Sequence, residues 1–568
     1  MVKNNKKQLQ HQQSYIAVSS EIINSLSSSS LQSLLVSHHQ PQIKRCSNKP
    51  KKWVKNPMFL LIFTIFLLGF LGMVTLYFLN LPNACNQHQL RDEEVVEFKS
   101  KMTSKFDSSE DFWNQTNGFG LGYRPCLEFS QEYRQTSEEI VKDRTNYLMV
   151  VVSGGMNQQR NQIVDAVVIA RILGAALVVP VFQVNVIWGD ESEFSDIFDL
   201  EHFKRVLADD VKIVSSLPST LLRIKPVEES QTPFHATPHW IRHHYLGKLK
   251  KYNVLLLRGL DSRLSKDLPS DLQKLRCKVS YMSYHDYLLL YYFFECELFL
   301  TNFLSLAKVA FQALKFAPHI LQFGNKIAER MSSEGPYVAL HLRMEKDVWI
   351  RTGCSPGLSP EYDDMINNER KRRPKLLTGK SNMTSHDRKL AGLCPLNAFE
   401  VARLLKALGA PKSARIYWAG GQPLGGKDAL LPLITEFPYF YNKEDLALPG
   451  ELEPFANRAS FMAAIDYIVC EKSDVFMASH GGNMGHALQG QRAYAGHKKH
   501  ITPNKRHMLP YFMNSSLPET EFNKIVKELH HDSLGQPDLR IDKPGRDVTK
   551  YPIPECMCNT SSNSHSSA

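Results

Sequence analysis

The sequence predicts an α/β protein with two lobes, preceded by one membrane-spanning helix. The chain has 568 residues, more than one hydrophobic core usually accommodates. An apolar strand followed by a glycine-rich turn and a helix recurs in two separate parts of the chain, and one long apolar stretch lies near the N-terminus. Because such units form parallel sheets with ligands at the carboxyl ends of their strands, we expect a ligand between the two lobes.

Basic residues are concentrated at the N-terminus. The formal net charge is +11, but residues 1–57 carry nine Lys and Arg against the single acid Glu21, so the remainder totals only +3. The excess positive charge therefore lies in this N-terminal segment. Nucleic-acid binding would instead require a basic patch on a folded domain. Residues 1–57 are rich in Ser, Gln and Asn and are predicted to be a disordered cytosolic tail.

An uncharged apolar stretch at 58–79 is 22 residues long and could cross a bilayer as a helix. Basic residues crowd its N-terminal side, which places the N-terminus in the cytosol and the rest of the chain in the lumen. Four N-glycosylation sequons, all beyond the span, agree with this orientation. They begin at Asn114, Asn382, Asn514 and Asn559. The sequence therefore predicts a single-pass type II membrane protein with a polar, irregular luminal stem at 80–140.

The first lobe is predicted over residues 141–334. Its first elements are a buried strand at Tyr147–Val152, a glycine-rich loop at 153–160, a helix at Asn161–Leu173 capped by Gly174, and a strand at 176–180. The loop lacks the fingerprint of a dinucleotide or ATP site. Two interpretations stay open: an anion or hydroxyl site with Asn157 and Arg160, or a loop whose glycines serve turn geometry alone.

The second lobe is predicted over residues 335–545 and repeats the pattern, and the tail at 546–568 is predicted to be irregular. Its elements are a strand from Tyr337, a strand from Arg415 into the turn Gly420–Gly421, a helix at 461–470, a strand at 473–479, a glycine-rich turn at 480–485, a helix from Ala487 and a helical stretch at 524–529. Glycine-rich turns at helix N-termini commonly bind a nucleotide diphosphate.

Arg343 is the main candidate for a ligand contact. It follows the apolar strand residues 337–342, where such a strand emerges from a sheet. A permanently charged, forked donor at this place suits a diphosphate. Residue types alone leave open the alternative of an ion pair with Glu345 or Asp347.

In their order and spacing these motifs resemble the plant O-fucosyltransferase-like family over roughly residues 145–510. The matching segments are 154–160, 341–347 with 353–354, 416–421, 473–476, 482–484 and 489–490. Members are Golgi type II glycosyltransferases of plant cell walls, related to pectin rhamnosyltransferases. The resemblance therefore implies a Golgi membrane protein with a luminal catalytic part. It also implies a GT-B-like fold of two Rossmann-like lobes with a cleft between them, a nucleotide-sugar donor held mainly by the C-terminal lobe, and inverting transfer.

The resemblance implies roles for individual residues as well. Arg343 would contact the donor phosphates, and either Glu345 or Asp347 would act as general base. The other donor-binding candidates are Asn157, Arg160, His341, Gly420, Gly421, His480, Gly482, Asn483 and Arg492. Most members have an aromatic residue and an Asp where this chain has His480 and Gly481, so a base or ribose contact is missing there.

The sequence predicts neither a metal nor a cofactor. Its ten cysteines lack zinc-site spacing and are compatible with disulfides in an oxidising compartment, with the pairing left open. No Asp-x-Asp triplet occurs, which glycosyltransferases that bind their donor through a divalent cation generally need. Cationic side chains and helix N-termini would then stabilise the leaving diphosphate.

The expected activity is transfer of fucose from GDP-fucose to a cell-wall polysaccharide or glycoprotein. One alternative is a pectin rhamnosyltransferase that uses UDP-rhamnose, since both sugars are deoxyhexoses. Another is a non-catalytic Golgi protein that binds glycans or scaffolds wall synthesis. The expected partners are a nucleotide sugar, a glycan or glycoprotein acceptor and the membrane, and not nucleic acid.

Residues 280–309 form an aromatic segment in which nine of 30 residues are Phe or Tyr. A second membrane span is rejected, because acids lie within it and because it would return the donor lobe to the cytosol. A buried helical hairpin is one remaining interpretation. The favoured one is a retained intron, because removal of the segment joins Val279 to Ala310 in frame and restores the family's usual run into the next helix.

Overall fold

The structure is a computed structural model, and its described residues all belong to one compact unit. It describes residues 112–113, 123–125, 129–141, 145–184, 189–230, 232–260, 263–265, 268–276, 313–377, 382–494, 499–531, 534 and 557–559. The tail at 1–57, the predicted span at 58–79 and the segment 280–309 lie outside these ranges. Among the described helices, none has the length and apolar character that a membrane crossing needs.

The secondary structure elements alternate along the chain. The strands are β1 Tyr123–Pro125, β2 Tyr147–Val152, β3 Ala176–Val178, β4 Val181–Phe182, β5 Ile213–Val214, β6 Val227–Glu229, β7 Val254–Arg258, β8 Tyr337–His341, β9 Arg415–Ala419, β10 Phe440–Tyr441, β11 Val475–Ala478, β12 His500–Ile501 and β13 Met557–Asn559. The α-helices are α1 Gln131–Val141, α2 Met156–Leu173, α3 Phe194–Ile197, α4 Leu200–Val206, α5 Pro238–Ile241, α6 Gly247–Tyr252, α7 Ser270–Arg276, α8 Pro318–Ser332, α9 Lys346–Thr352, α10 Pro360–Arg372, α11 Ser385–Leu390, α12 Ala398–Ala407, α13 Leu431–Glu436, α14 Lys443–Leu446, α15 Ala459–Lys472, α16 Asn483–Tyr494, α17 Lys505–Phe512 and α18 Glu519–His530. A π-helical segment at Arg242–Leu246 joins α5 to α6, and short 3-10 helices lie at Pro374–Leu376, Gly426–Leu430 and Glu453–Phe455.

Two parallel sheets form the centres of the two lobes. The first has the strand order β5-β3-β2-β7-β6, with β4 also pairing with β2, and the second has the order β10-β9-β8-β11-β12. Every ladder in both sheets is parallel. The predicted α/β fold with two Rossmann-like lobes is therefore confirmed.

The central strands explain why the sequence forms this fold. All six residues of β2 and all five of β8 are buried. Helices cover both faces of a parallel sheet, so an interior strand has apolar residues on both of its faces and appears in the sequence as a continuous apolar run. The strands predicted at 147–152 and from 337 onward are therefore the interior strands of their sheets.

Helix α2 begins earlier than the sequence predicts. The expected start was Asn161, after a loop at 153–160, but the helix begins at Met156. A capping interaction explains the difference, since the Gly155 N–H donates to the Gln158 side chain at 2.7 Å. Asn157 and Arg160 therefore lie in the first turns of a helix rather than in a loop. The predicted cap at Gly174 is confirmed, with φ of 60°.

The predicted stem and tail are more ordered than expected. Helix α1 lies within the predicted irregular stem, and Trp113 donates from Nε1 to the Leu408 carbonyl of the second lobe at 2.8 Å. Strand β1 of the stem pairs antiparallel with β13 of the tail. The prediction of irregular structure is therefore wrong at these points, because backbone and core contacts from distant parts of the chain order the segments.

Helix α8 links the two lobes. The boundary predicted at 334 assigns it to the first lobe, yet it packs along α15 of the second lobe. A side chain at Gly324 would place its Cβ 2.6 Å from Ile468 Cδ1, so the helices approach closely there. Buried apolar residues of α2, α8 and α15 belong to one continuous core, which joins the lobes.

Candidate active site

The candidate site lies where the strand order of the second sheet reverses. In the order β10-β9-β8-β11-β12, strands β8 and β11 are neighbours and their connections leave in opposite directions. Their last residues, His341 and Ala478, are paired in register. In open α/β sheets this topological switch point is the usual ligand site. The predicted residues Arg343 and His480 follow these two strand ends directly.

Arg343 is positioned by both strand ends. Its backbone N–H donates to the Ser479 hydroxyl at 3.2 Å, and its side-chain Nε donates to Glu345 Oε2 at 3.4 Å. The side chain is 25% exposed. Among the described residues, none forms a hydrogen bond with its terminal nitrogens, Nη1 and Nη2. The ion pair and the ligand contact are thus compatible, because Glu345 occupies only one donor of the fork.

The turn Gly420–Gly421 lies against this pair. The Gly421 N–H donates to Glu345 Oε1 at 3.2 Å. Gly420 has φ of 154°, and a Cβ there would lie 2.6 Å from the Leu342 carbonyl oxygen. A glycine is therefore required at 420 by conformation and by space. The structure brings Arg343, Glu345 and this turn together, as the sequence motifs predict.

The N-terminus of helix α16 completes the turn after β11. The helix was expected from Ala487 but begins at Asn483, four residues earlier. Gly485 explains the difference: glycine is a poor helix former, yet here it permits close packing, since a Cβ would lie 3.0 Å from that of Ala478. Gly482 and Asn483 thus stand at a helix N-terminus, whose first N–H groups lack intrahelical acceptors and favour anions.

Two histidines near Arg343 are neutral at physiological pH. Burial, followed by the electrostatic effects of Arg343 and His480, lowers the pKa of His341 to about 3. Burial and the neighbouring Lys505 and Arg343 lower the pKa of His480 to about 3. His341 is 3% exposed, and its Nδ1 has no hydrogen-bond partner among the described residues. A buried polar atom of this kind is costly to leave unsatisfied, so it is suited to a ligand.

Lys505 is a site residue that the sequence motifs missed. Its Nζ donates to the Cys394 carbonyl at 2.6 Å and lies 3.2 Å from His480 Nδ1. Burial lowers the pKa of Lys505 to about 8, against the opposing attraction of Glu400. Lys505 and Arg343 both act electrostatically on His480, so Lys505 is a second basic residue at this end of the sheet. No sequence signal marks it, because it is about 160 residues downstream of Arg343 and is brought near by the fold alone.

The first-lobe candidates lie at the interface between the lobes. Helix α2 contacts α15 and α16 of the second lobe. Asn157 is buried, and its Oδ1 has no partner among the described residues. The Arg160 guanidinium lies 4.7 Å from the Tyr467 ring centroid and 5.4 Å from that of Phe316. Arg160 thus packs within an aromatic cluster, whereas Asn157 keeps an acceptor for a ligand.

Two predicted residues are placed differently. Asp347 accepts from Arg351 at 2.7 Å, so it makes a local pair on α9 rather than one with Arg343. Arg492, which was expected to close the donor site, is 2% exposed. Its Nη1 and Nη2 donate to backbone carbonyls of residues 470, 471, 473, 474 and 499. This arrangement corrects the expectation: Arg492 supports the end of α15 and the start of β11.

A disulfide joins the segments on both sides of the site. Cys354, after α9, is bonded to Cys394. The adjoining Leu396 N–H donates to the Ser479 carbonyl at 3.2 Å. The bond therefore ties the segment that follows Arg343 to the segment that supports the turn after β11. Sequence could not give this pairing. Cys470, also described, is a buried free thiol.

The sequons are only partly described. Asn382 and Asn514 are exposed, as glycosylation would require. Asn114 lies outside the described residues, and the side chain of Asn559 is likewise not described. Glycosylation at all four positions stays a prediction.

The switch-point geometry, with Arg343 Nη1 and Nη2 lacking a partner among the described residues, defines a class of protein, an α/β fold with its expected ligand site above the second sheet. Comparison with known proteins identifies the family. Residues 147–495 match the family model described as GDP-fucose protein O-fucosyltransferase. The match covers more than half of the chain, so this protein belongs to that family and is a glycosyltransferase.

Close relatives agree with the family assignment. The chain is 62% identical to O-fucosyltransferase 20 of Arabidopsis thaliana over 580 residues, with 96% of this chain and 95% of the relative covered. It is 67% identical to O-fucosyltransferase 24 of the same plant over 455 residues, with 80% and 73% covered. A crystal structure of POFUT1 in complex with GDP is 14% identical, with a TM-score of 0.34, and covers 62% of this chain and 96% of that one. A structural likeness of that degree carries no argument about function.

Proposed function

We propose that this protein is an inverting O-fucosyltransferase that takes GDP-fucose as donor and a cell-wall polysaccharide or glycoprotein as acceptor. The family model is described by GDP-fucose, and the close relatives are named O-fucosyltransferases. The observation that carries the proposal is Arg343 at the switch point, with Nη1 and Nη2 available to a diphosphate. The switch point is where such α/β sheets bind nucleotides.

The proposed chemistry is electrostatic stabilisation of the departing GDP. As the bond between fucose and the diphosphate breaks, negative charge develops on the phosphate oxygens. Arg343, Lys505 and the N-terminus of α16 are the groups that meet this charge. Since the chain contains no Asp-x-Asp triplet, we propose that these groups act without a divalent cation.

Glu345 and Asp347, the two carboxylates predicted as general base, both have partners within the protein. Both oxygens of Glu345 are hydrogen-bonded, one to the Gly421 N–H and one to Arg343 Nε. Asp347 is bound to Arg351. These contacts hold both carboxylates in fixed positions within the protein. We therefore propose that the chief role of Glu345 is to orient Arg343. Of the two carboxylates predicted as general base, Asp347 is the weaker candidate, because its partner is Arg351.

We propose that the enzyme is a single-pass type II protein of the Golgi membrane with its catalytic part in the lumen. The charge asymmetry around 58–79 and the four sequons support this orientation. The Cys354–Cys394 disulfide is in keeping with it, because structural disulfides form in oxidising compartments.

A donor screen tests the proposed activity. The full-length chain, purified in detergent, is supplied with GDP-fucose, UDP-rhamnose or other nucleotide sugars, and release of the nucleotide is measured. GDP release from GDP-fucose that requires Arg343 is expected. Selective UDP release from UDP-rhamnose would establish the rhamnosyltransferase alternative instead. Glycan binding without turnover of any donor would favour the non-catalytic alternative.

A further inference from the structure

Three buried polar side chains meet beneath the turn at Gly420. Asp466 of α15 accepts from the Tyr417 hydroxyl at 2.7 Å, from the Gly420 N–H at 3.1 Å and from Lys443 Nζ at 3.1 Å. Lys443 also donates to the Gly420 carbonyl at 3.1 Å. Both polar groups of residue 420, its N–H and its C=O, are therefore bound by one ion pair.

Both members of this ion pair are deeply buried. Lys443 and Asp466 are each 4% exposed. Burial alone would lower the pKa of Lys443, but the carboxylates of Asp466 and Glu444 outweigh it and raise that pKa above its ordinary value. A buried ion pair contributes little net stability, since desolvation of both charges offsets their attraction. Net stability therefore does not explain why this ion pair is placed at the Gly420 peptide group.

The peptide group at Gly420 is connected to Arg343 through Gly421 and Glu345. Gly421 follows Gly420 directly, and its N–H donates to Glu345 Oε1 at 3.2 Å. The other oxygen of Glu345 accepts from Arg343 Nε. A connected series of contacts thus runs from the buried ion pair through the glycine turn and Glu345 to the guanidinium.

We propose that Lys443 and Asp466 are positioning residues for Arg343. They fix the Gly420–Gly421 turn, which orients Glu345, and Glu345 in turn holds the fork of Arg343 so that Nη1 and Nη2 face the diphosphate of the bound nucleotide. The proposal rests on the proposed function, since it assigns these residues to the same donor site. It deepens that function by naming two residues that act without contact to the donor.

A double-mutant cycle with Arg343 tests this role. Asp466→Asn and Lys443→Met are each made in the wild-type chain and in Arg343→Ala, and the Kd for GDP is measured by calorimetry on the full-length protein in detergent. Each substitution should weaken GDP binding by about tenfold in the wild-type chain. In the Arg343→Ala background the same substitution should change the Kd less than about twofold, since the group being positioned is gone.

Asp165→Asn is a matched control. Asp165 is a buried carboxylate in the first lobe that accepts two backbone N–H groups, from Arg263 and Leu264, and pairs with Arg276 at 3.1 Å. Its loss should lower the melting temperature like the loss of Asp466, but should leave the Kd for GDP unchanged. If a single substitution unfolds the chain, the charge-neutral pair Lys443→Met/Asp466→Asn replaces it, because that variant leaves no lone buried charge.

The outcomes separate the inference from the proposed function. Equal losses of affinity in the wild-type and Arg343→Ala backgrounds would overturn the positioning role, even with GDP-fucose turnover intact. If the wild-type chain binds UDP and not GDP, the cycle is measured with UDP, and only the donor assignment fails. If neither nucleotide binds, both proposals are overturned.

Discussion

The Cys354–Cys394 disulfide should be the main covalent support of the donor site. It closes a sequence separation of 40 residues, which in the chain-entropy treatment corresponds to about 4 kcal/mol of stability against unfolding. The double variant Cys354→Ala/Cys394→Ala should therefore unfold with about 4 kcal/mol less free energy than the wild-type chain. Urea unfolding, monitored by tryptophan fluorescence, measures this difference.

The same variant should also weaken nucleotide binding, because the disulfide supports both sides of the site. Lys505 donates to the carbonyl of Cys394, and Leu396 donates to Ser479. Cys470→Ala is the control, since Cys470 is a free thiol in the described core and its loss removes no cross-link. A double variant that unfolds at the wild-type urea concentration, with unchanged GDP affinity, would refute this reasoning.

Three further predictions follow from the site and the interface between the lobes. Turnover of GDP-fucose should persist in EDTA, since cationic side chains take the place of a metal; loss on chelation that manganese restores would contradict this. Asp190→Ala should cost about 1–2 kcal/mol in urea unfolding, because Asp190 accepts from the Ser460 N–H at the start of α15 at 2.5 Å. Burial would raise the pKa of Asp190, but hydrogen bonds from Ser192 and Ser460 lower it, so its contribution is present at neutral pH and is lost in acid. Asp190→Asn, which keeps one acceptor, should cost less. Burial lowers the pKa of Lys505 to about 8 in the folded protein, below the pKa of a lysine in the unfolded chain. The unfolded chain therefore binds more protons between about pH 8 and 10.5, and the free energy of unfolding should rise with pH in that window. Lys505→Met should remove this rise.

The strands and the position of Arg343 at the end of one of them were predictable from local sequence. Tyr147–Val152 and the strand from Tyr337 are continuous apolar runs, and such runs specify interior parallel strands regardless of what surrounds them. Arg343 was a candidate because it follows a buried strand at the end of the sheet where ligands usually bind. Of the two interpretations left open for it, the ion pair with Glu345 is present through Nε, and the contact with a ligand stays a prediction.

The missed features depend on contacts that are distant in sequence. Arg492 appeared to be a site residue, but its acceptors are backbone carbonyls gathered from two segments, and local sequence does not show where carbonyls converge. Lys443 and Asp466 carry no motif, and the role proposed for them depends on the fold, which places both at Gly420. The start of α16 was missed because Gly485, a poor helix former, is needed there for close packing.

Calorimetric titration of GDP into the wild-type, Arg343→Ala and Arg343→Lys chains tests the central claim most directly. A charge-assisted hydrogen bond contributes about 1.5–3 kcal/mol, so Arg343→Ala should bind GDP about 10- to 100-fold more weakly. Arg343→Lys should recover only part of this loss, because an ammonium group cannot form the bidentate contact. Arg351→Ala, which removes an arginine paired with Asp347, is the matched control and should bind as the wild type does. Folded Arg343→Ala protein with the wild-type Kd would show that the diphosphate binds elsewhere.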